Sequence, residues 1–327
     1  AAAFVLAYTV LVIVFGAWVR VTGSGAGCGQ HWPTCHGEIL HRPQSMETVI
    51  ELTHRVTSGA AGLLSLLLCV TSFRLRPVSS AARIGAVLSV VFMITESLIG
   101  AGIVKFELVA DNASVERAMG ISVHLVNTSL LTGALSLSLW GARRADAGTV
   151  RPDRLSAALA LAACAVTLMV MMTGAVTALG DTLFPPETGL SALDVLAQDQ
   201  AAGAHLLQRA RGYHPILAVA GSLLIILAMT KVSERAPRSS TRRLCRVMIT
   251  LVCAQVALGV LNIWLSAPGY MQLLHLGLAT VSWIALCFVT FRRSSSRSSS
   301  TRAARTCRPA TRPRAGTPAR SRARAPR

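Results

Sequence analysis

Charged side chains are scarce in this chain. Asp, Glu, Lys and Arg together make up 14% of its 327 residues, whereas hydrophobic residues make up 52%. A soluble domain carries about 25% charged residues, so this composition excludes an ordinary water-soluble globular protein. The apolar residues fall in runs close to the roughly 20 residues that cross a bilayer. The sequence therefore predicts a polytopic, all-α membrane protein.

Eight such runs are separated by Gly, Pro and charge clusters. The predicted transmembrane helices cover residues 3–20, 53–73, 83–104, 118–140, 155–179, 212–231, 244–266 and 271–291. No initiator Met precedes the first run, so we expect the true start to lie upstream. A cleavable signal peptide is the competing interpretation of residues 1–20. A small-x-small cleavage site is absent and the segment has a counterpart later in the chain, which favours a transmembrane helix.

Acidic residues are also absent after Phe291. Residues 292–327 consist mainly of Arg, Ser, Pro and Ala and carry most of the formal net charge of +18. This stretch has too little apolar surface to fold, so we expect a disordered tail attracted to anionic membrane lipid. Nucleic-acid binding is the less favoured alternative. The tail has no part in the predicted main function.

Basic residues concentrate in alternate loops. The loops after the second, fourth and sixth spans carry Arg74, Arg76, Arg83, Arg143, Arg144, Arg151, Arg154, Lys231, Arg235, Arg238, Arg242, Arg243 and Arg246. The loops after the third and fifth spans are mixed or acidic. The positive-inside rule therefore predicts a multi-pass plasma (inner) membrane protein with both termini cytoplasmic.

Four histidines lie at similar depth in the even-numbered spans: His54, His124, His214 and His275. An ionisable residue in a membrane span is rare and indicates a functional site. Neutral imidazole binds iron, copper or zinc, and two facing imidazoles can hold a haem in a four-helix bundle. Zinc needs a third or fourth protein ligand, and no Cys, Asp or further His recurs at this depth in both pairs. Haem is therefore favoured, while a hydrogen-bonded structural role remains the alternative for any single histidine.

The histidines belong to an internal repeat. Gly16-Ala17 matches Gly174-Ala175, and Glu96 with Gly100 matches Gln255 with Gly259. We expect two four-helix halves, residues 1–145 and 146–291, followed by the tail. Repeats in membrane proteins commonly place binding sites within or between the halves.

The halves differ beside the histidines. Glu51 stands three residues before His54, whereas Arg211 stands three residues before His214. A carboxylate beside a haem can transfer protons, and an arginine suits a haem propionate. The alternative for Glu51 is a favourable interaction with the helix dipole. Arg55 and Arg209 either meet propionates or extend to lipid headgroups.

The first outer loop contains Cys28 and Cys35 among turn-forming residues. On the oxidising side of the membrane this pair favours a disulfide that closes a small loop. A metal site using Cys28, His31, Cys35 or His36 is the alternative, although the spacing fits no common zinc pattern. The cysteines in or beside the spans are interpreted as packing residues.

Several of these motifs together resemble the haem A synthase family. They are Gly16-Ala-Trp-Val-Arg-Val-Thr-Gly-Ser-Gly25, the Cys28–Cys35 loop with Trp32-Pro33, and Glu51-Leu-Thr-His54-Arg55. The eight spans and the repeated histidines also agree, and the resemblance extends to about residue 291. It implies a membrane oxidoreductase that converts haem O to haem A by oxidising the carbon-8 methyl group to a formyl group, for haem-copper oxidases.

Carried over by position, the resemblance gives each site residue a role. His54 and His124 would hold the substrate haem, and His214 and His275 would ligate a haem b cofactor. Glu51 would be the catalytic carboxylate. Arg55 and Arg211 are expected, from their positions beside the histidines, to be propionate partners. Cys28 and Cys35 would be the cysteine pair of the family's outer loop. Candidate protein partners are a haem O synthase, an electron-transfer protein and a second copy of the chain.

Two features depart from the family pattern. Glu96 stands where the family usually has Gln, and the outer loop 180–211 lacks a cysteine pair found in some members. Glu96 is interpreted either as a protonated structural residue or as part of a proton path. The main rival function is a quinol-linked, di-haem b electron carrier that leaves its haems unmodified. A transporter would require broken helices near mid-membrane, which the mostly unbroken spans do not indicate.

Overall fold

The computed structural model describes residues 1–39, 41–74, 78–143, 153–187, 190–236 and 238–294. The helices in these ranges are α1 (Ala2–Val21), α2 (Met46–Arg74), α3 (Ser80–Lys105), α4 (Val115–Ala142), α5 (Arg154–Leu183), α6 (Ala192–Asp199), α7 (Leu206–Glu234), α8 (Ser239–Trp264) and α9 (Gly269–Ser294). All but α6 are long and apolar enough to cross a membrane. The prediction of an all-α protein with eight candidate spans is confirmed for the described part of the chain. The predicted tail lies outside it from residue 295 onwards.

Two helices begin well before their apolar runs. α2 begins at Met46 and α7 at Leu206, about two turns earlier than predicted. Their first turns contain polar residues, so the apolar runs placed both helix starts too late. His205 caps α7 by accepting a hydrogen bond from the Leu207 amide, while the Gln208 side chain accepts from the His205 amide. Capping of this kind stabilises the exposed first turn of a helix.

The short helix α6 lies within the loop 180–211, for which no helix was predicted. Its N-terminus carries a capping box in which the Ser191 hydroxyl accepts from the Asp194 amide and the Asp194 carboxylate accepts from the Ser191 amide. The Ser-x-x-Asp pattern is the sequence signal that could have revealed it. α6 packs against α7 and brings Asp199 to the site described below.

The long helices pack mainly on their chain neighbours. α1, α2, α3 and α4 pack in succession and α4 returns to α1, while α5, α7, α8 and α9 do the same and α9 returns to α5. α1 and α4 also contact α5 and α9. Small residues permit the closest approaches: a Cβ on Gly85 of α3 would lie 2.4 Å from the Ser138 amide nitrogen of α4. Such contacts are typical of membrane helix pairs.

Apolar side chains occupy both the interior and the outer surface. Leu131, Leu135 and Leu286 are buried between helices, whereas Leu11 and Leu63 are about 70% exposed. Exposed leucines on long helices suit contact with lipid. The boundary predicted at residue 145 lies outside the described residues, and the division into two repeated halves stays a prediction.

Candidate functional site

All four predicted histidines line one cavity of about 1210 Å³. This volume exceeds the roughly 300–1,000 Å³ of most small-molecule pockets. The cavity wall is largely apolar and also includes Glu51, Arg55 and Arg211. Each histidine lies about two turns from the N-terminus of α2, α4, α7 or α9, so alternate helices bring the imidazoles to one side of the helix bundle.

A glycine on the preceding long helix faces each imidazole, and at three of the four positions the space is too small for a side chain. An added Cβ would lie 2.8 Å from His54 Cε1 at Gly16, and 2.9 Å from His214 Cε1 at Gly174. The corresponding distances are 3.9 Å between Gly100 and His124, and 3.2 Å between Gly259 and His275. These are the four glycines that mark the sequence repeat. Their role as imidazole contacts emerges only from the structure.

The histidines fall into two groups along the chain. His54 and His124 lie on α2 and α4, and His214 and His275 lie on α7 and α9. The hydroxyl of Thr173 is 3.0 Å from Nδ1 of His214, which leaves Nε2 of that ring available to a ligand. The Nδ1 atoms of His54, His124 and His275 are buried without a hydrogen-bond partner in the described structure. Neutral imidazoles grouped on an apolar wall have the chemistry that haem iron requires.

Glu51 forms a buried ion pair with Arg55. Nε of Arg55 is 3.1 Å from Oε1 of Glu51, and Nη2 contacts the same oxygen. The second carboxylate oxygen, Oε2, accepts a hydrogen bond of 2.7 Å from the Cys28 amide. Glu51 lies beyond the first turn of α2 and is 3% exposed, so its partners are these groups rather than the end of the helix. The side chain of Arg55 is 11% exposed and turns towards Glu51 and the loop carbonyls.

The loop that contains Cys28 and Cys35 is attached to α2. Cys28 and Cys35 form a disulfide, and Arg55 Nη1 donates to the carbonyls of His31 and Thr34 at 2.5 and 2.7 Å. The Thr48 hydroxyl donates to the Gly27 carbonyl at 2.6 Å. Together with the Cys28 amide, these contacts place the loop against the Glu51 carboxylate.

The loop also brings Cys35, His36 and His41 together. Their potential ligand atoms lie within 4.8 Å of one another. Because Cys35 is joined to Cys28, its sulfur is not available as a thiolate ligand. His41 Nδ1 instead pairs with Glu38 at 3.0 Å, and His36 Nε2 bonds to the Gly27 carbonyl at 3.0 Å. These contacts favour the structural interpretation of the loop over the metal site.

Arg211 has two carboxylate partners. Its Nη2 donates to Asp199 at 2.7 Å, and its Nη1 is 3.5 Å from Asp181 and 2.8 Å from the Phe184 carbonyl. Its Nε is buried without a partner. Arg209, by contrast, is exposed and contacts the Ala201 carbonyl at 3.5 Å.

Arg20 is a half-buried cation that was not among the predicted site residues. From α1 it donates to the Ala178 carbonyl and the Thr182 hydroxyl of α5, at 2.6 and 2.5 Å, and to Gln272 of α9 at 3.0 Å. It also interacts electrostatically with Asp181. Arg20 lies in the Gly16–Gly25 motif. Its position near the end of an apolar helix is the sequence signal that could have identified it. Its partners, more than 150 residues away in sequence, could not be predicted.

The sequence of this chain is similar to several known proteins. Residues 2–287 match the family model COX15-CtaA, described as a cytochrome oxidase assembly protein. Over 286 residues, 87% of this chain, the sequence is 46% identical to a Thermus thermophilus protein named protoheme IX farnesyltransferase, of which the match covers 46%. A 94-residue region, 29% of this chain, is 47% identical to 30% of the heme A synthases of Bacillus cereus and Bacillus anthracis. The chain thus spans about half the length of the Thermus relative.

Proposed function

We propose that this chain, which belongs to the haem A synthase family of cytochrome oxidase assembly proteins, oxidises the carbon-8 methyl group of haem O to a formyl group. The observation that carries the proposal is the difference between the surroundings of the two histidine pairs. Glu51 lies beside His54, whereas Arg211, already paired with two carboxylates, occupies the matching place beside His214. A carrier that only passes electrons between two haems does not need this difference.

The cavity residues fit haem at both pairs. His54 and His124 would hold the substrate haem, and His214 and His275 would hold a haem b cofactor. The glycine contacts support this assignment, because a side chain at Gly16 or Gly174 would fill the space of an imidazole. Bound haem iron supplies the electron-transfer chemistry of the reaction.

Glu51 is proposed to accept and release protons at the substrate. An ionised carboxylate has about four acceptor positions, and Arg55 and the Cys28 amide use three of them. The remaining position, on Oε2, is free to accept from a water molecule or a substrate hydroxyl. Oxidation of a methyl group releases protons together with electrons, so a proton acceptor beside the substrate would assist it, and burial keeps bulk water from competing for that carboxylate.

The fixed outer loop would position this carboxylate. Arg55 orients one oxygen, the Cys28 amide orients the other, and the disulfide holds the amide in place. Arg55 has all three of its guanidinium nitrogens engaged, so any contact with a propionate would be shared with Glu51 and the loop carbonyls. Arg211 would likewise share a propionate with its two aspartates, through its unpartnered Nε.

The location and partners follow from the same proposal. Both termini would be cytoplasmic in the plasma membrane, which places the four histidines and the disulfide loop near the outer face. The helix contacts described above support two four-helix halves around this site. The Thermus relative, named for farnesyl transfer to protohaem IX, suggests that this chain receives haem O from such a farnesyltransferase.

The decisive experiment is mass-resolved chromatography of haems extracted from membranes of cells that make haem O but no haem A. Expression of this chain should produce haem A or its hydroxylated precursor. Glu51→Gln should abolish the product while retaining bound haem b, whereas Glu47→Gln, on the same helix but exposed, should retain activity. Unchanged haem O in the presence of a folded, haem-loaded protein and its redox partners would favour the di-haem carrier and refute the proposal.

A further inference from the structure

The carboxylate of Glu96 lies against the ligand His124. Oε1 of Glu96 is 3.4 Å from Nδ1 of His124 and is contacted by the Thr128 hydroxyl. The other oxygen, Oε2, accepts from Nδ2 of Asn127 at 2.5 Å. Thr95 in turn donates to Oδ1 of Asn127 at 2.7 Å and fixes the amide orientation. The donation from the Asn127 amide suits an ionised carboxylate, which accepts hydrogen bonds and donates none.

The matching region of the second half lacks this network. Gln255 occupies the place of Glu96 and donates to the His275 carbonyl at 3.0 Å, while its Oε1 has no partner in the described structure. Counting from the paired histidines, Asn127 and Thr128 correspond to Leu278 and Ala279. The hydrogen-bond donors accompany the carboxylate and are replaced by apolar residues where it is absent. This correspondence argues against Glu96 as a random substitution on the cavity wall.

The polar partner of the imidazole pair therefore differs between the halves. In the first half it is the Glu96 carboxylate, which lies 3.4 Å from Nδ1 of His124, whereas His54 has Phe15 beside it. In the second half it is the neutral Thr173 hydroxyl at His214. A carboxylate behind a metal-binding histidine raises the basicity of the ligand and favours the more highly charged metal ion.

We propose that Glu96 is a positioning residue that acts through His124 to stabilise ferric over ferrous iron in the first-half haem site. This inference rests on the proposed function, since it takes His124 as a haem ligand. The Glu96 carboxylate lies on the Nδ1 side of the His124 imidazole and leaves Nε2 for iron. Its charge makes the first-half iron easier to oxidise, and so directs an electron from that site towards the second-half site.

The test is a redox titration of the purified, full-length protein loaded with protohaem. A His275→Ala background is intended to remove the second-half haem, so that the remaining signal belongs to the first-half site. Glu96→Gln, which introduces the residue found at the matching position, should weaken the preference for ferric iron about tenfold. For a one-electron couple this raises the midpoint potential by about 59 mV. Glu116→Gln, an exposed carboxylate on the same helix as His124, is the matched control and should leave the potential unchanged.

A second measurement covers the case in which Glu96→Gln does not fold. Resonance Raman spectra of the ferrous protein should show a higher iron–histidine stretching frequency in His54→Ala than in His214→Ala. These variants respectively leave His124, backed by the carboxylate, or His275, which has no anionic partner, as the remaining ligand of its site. Equal frequencies, or a haem potential that does not respond to Glu96→Gln, would overturn the role of Glu96 while leaving haem binding intact. Failure of His54 and His124 to bind protohaem at all would instead refute the proposed function together with this inference.

Discussion

A single methyl group at Gly174 should separate haem binding from folding. The Cβ of alanine there would lie 2.9 Å from Cε1 and 3.3 Å from Nε2 of His214. Carbon atoms pack at about 3.5 Å or more, so the imidazole must withdraw by about 0.5 Å. Alanine favours a helix over glycine by up to about 1 kcal/mol, and overpacking costs about 1–3 kcal/mol, so α5 should still form.

The displaced ligand should bind haem more weakly. Disturbing the support of a metal ligand typically lowers affinity 10- to 100-fold, equivalent to about 1.4–2.7 kcal/mol. The measurement is the haem-to-protein ratio of the purified protein during titration with protohaem, alongside its thermal unfolding temperature. We expect Gly174→Ala to lose affinity with little change in unfolding temperature.

Gly100→Ala is the matched control, because its Cβ would lie at an ordinary 3.9 Å from His124. Gly259→Ala, at 3.2 Å from His275, should give an intermediate effect. The distance from the added Cβ to the imidazole therefore sets the order in which these variants are expected to lose haem affinity. If Gly174→Ala and Gly100→Ala bound haem equally well, the close fit between glycine and imidazole would have no part in haem binding and the reasoning would fail.

Two further changes test how the site is held. Cys28→Ser with Cys35→Ser should destabilise the loop that the disulfide closes by only about 2–3 kcal/mol, because this loop is short. The loop of the variant should be cleaved faster by added protease. A loop that resists protease as well as the original would contradict this role of the disulfide. Arg20→Met should lower the thermal unfolding temperature in detergent, because it removes the donor for acceptors on α5 and α9. Each acceptor that is left unsatisfied inside the protein costs about 1–3 kcal/mol. The exposed Lys105→Met is its control, and equal unfolding temperatures would show that the Arg20 contacts contribute little.

The membrane spans and the histidines were predictable because both rest on patterns along the chain. Apolar runs of bilayer length have one stable solution in lipid, and an ionisable residue within such a run needs a special partner. The two early helix starts and α6 were missed, since their polar first turns carry no apolar periodicity. The repeat identified Gly16 and Gly174 but did not predict that they face His54 and His214.

The partners of the buried charges could not be predicted from sequence. Arg211 was assigned to a propionate from its place beside His214, yet it contacts Asp199 on a helix that was not predicted. Its second partner, Asp181, lies near the end of α5. Such pairings depend on the relative positions of packed helices, which no spacing along the chain encodes. The propionate assignments of Arg55 and Arg211 accordingly stay predictions.

The surroundings of the two histidine pairs are held in different ways. Glu51, beside His54, pairs with Arg55 on the next turn of α2 and accepts from an amide of the adjoining loop. Arg211, beside His214, pairs with Asp181 and Asp199, while Arg20 from α1 donates to two groups of α5 and to Gln272 of α9. The contacts near His214 therefore include a residue of α1, whereas those near His54 include the disulfide loop. Because an acceptor that loses its donor inside the protein is costly, the packing of α1 on α5 and α9 is expected to contribute to the geometry around His214.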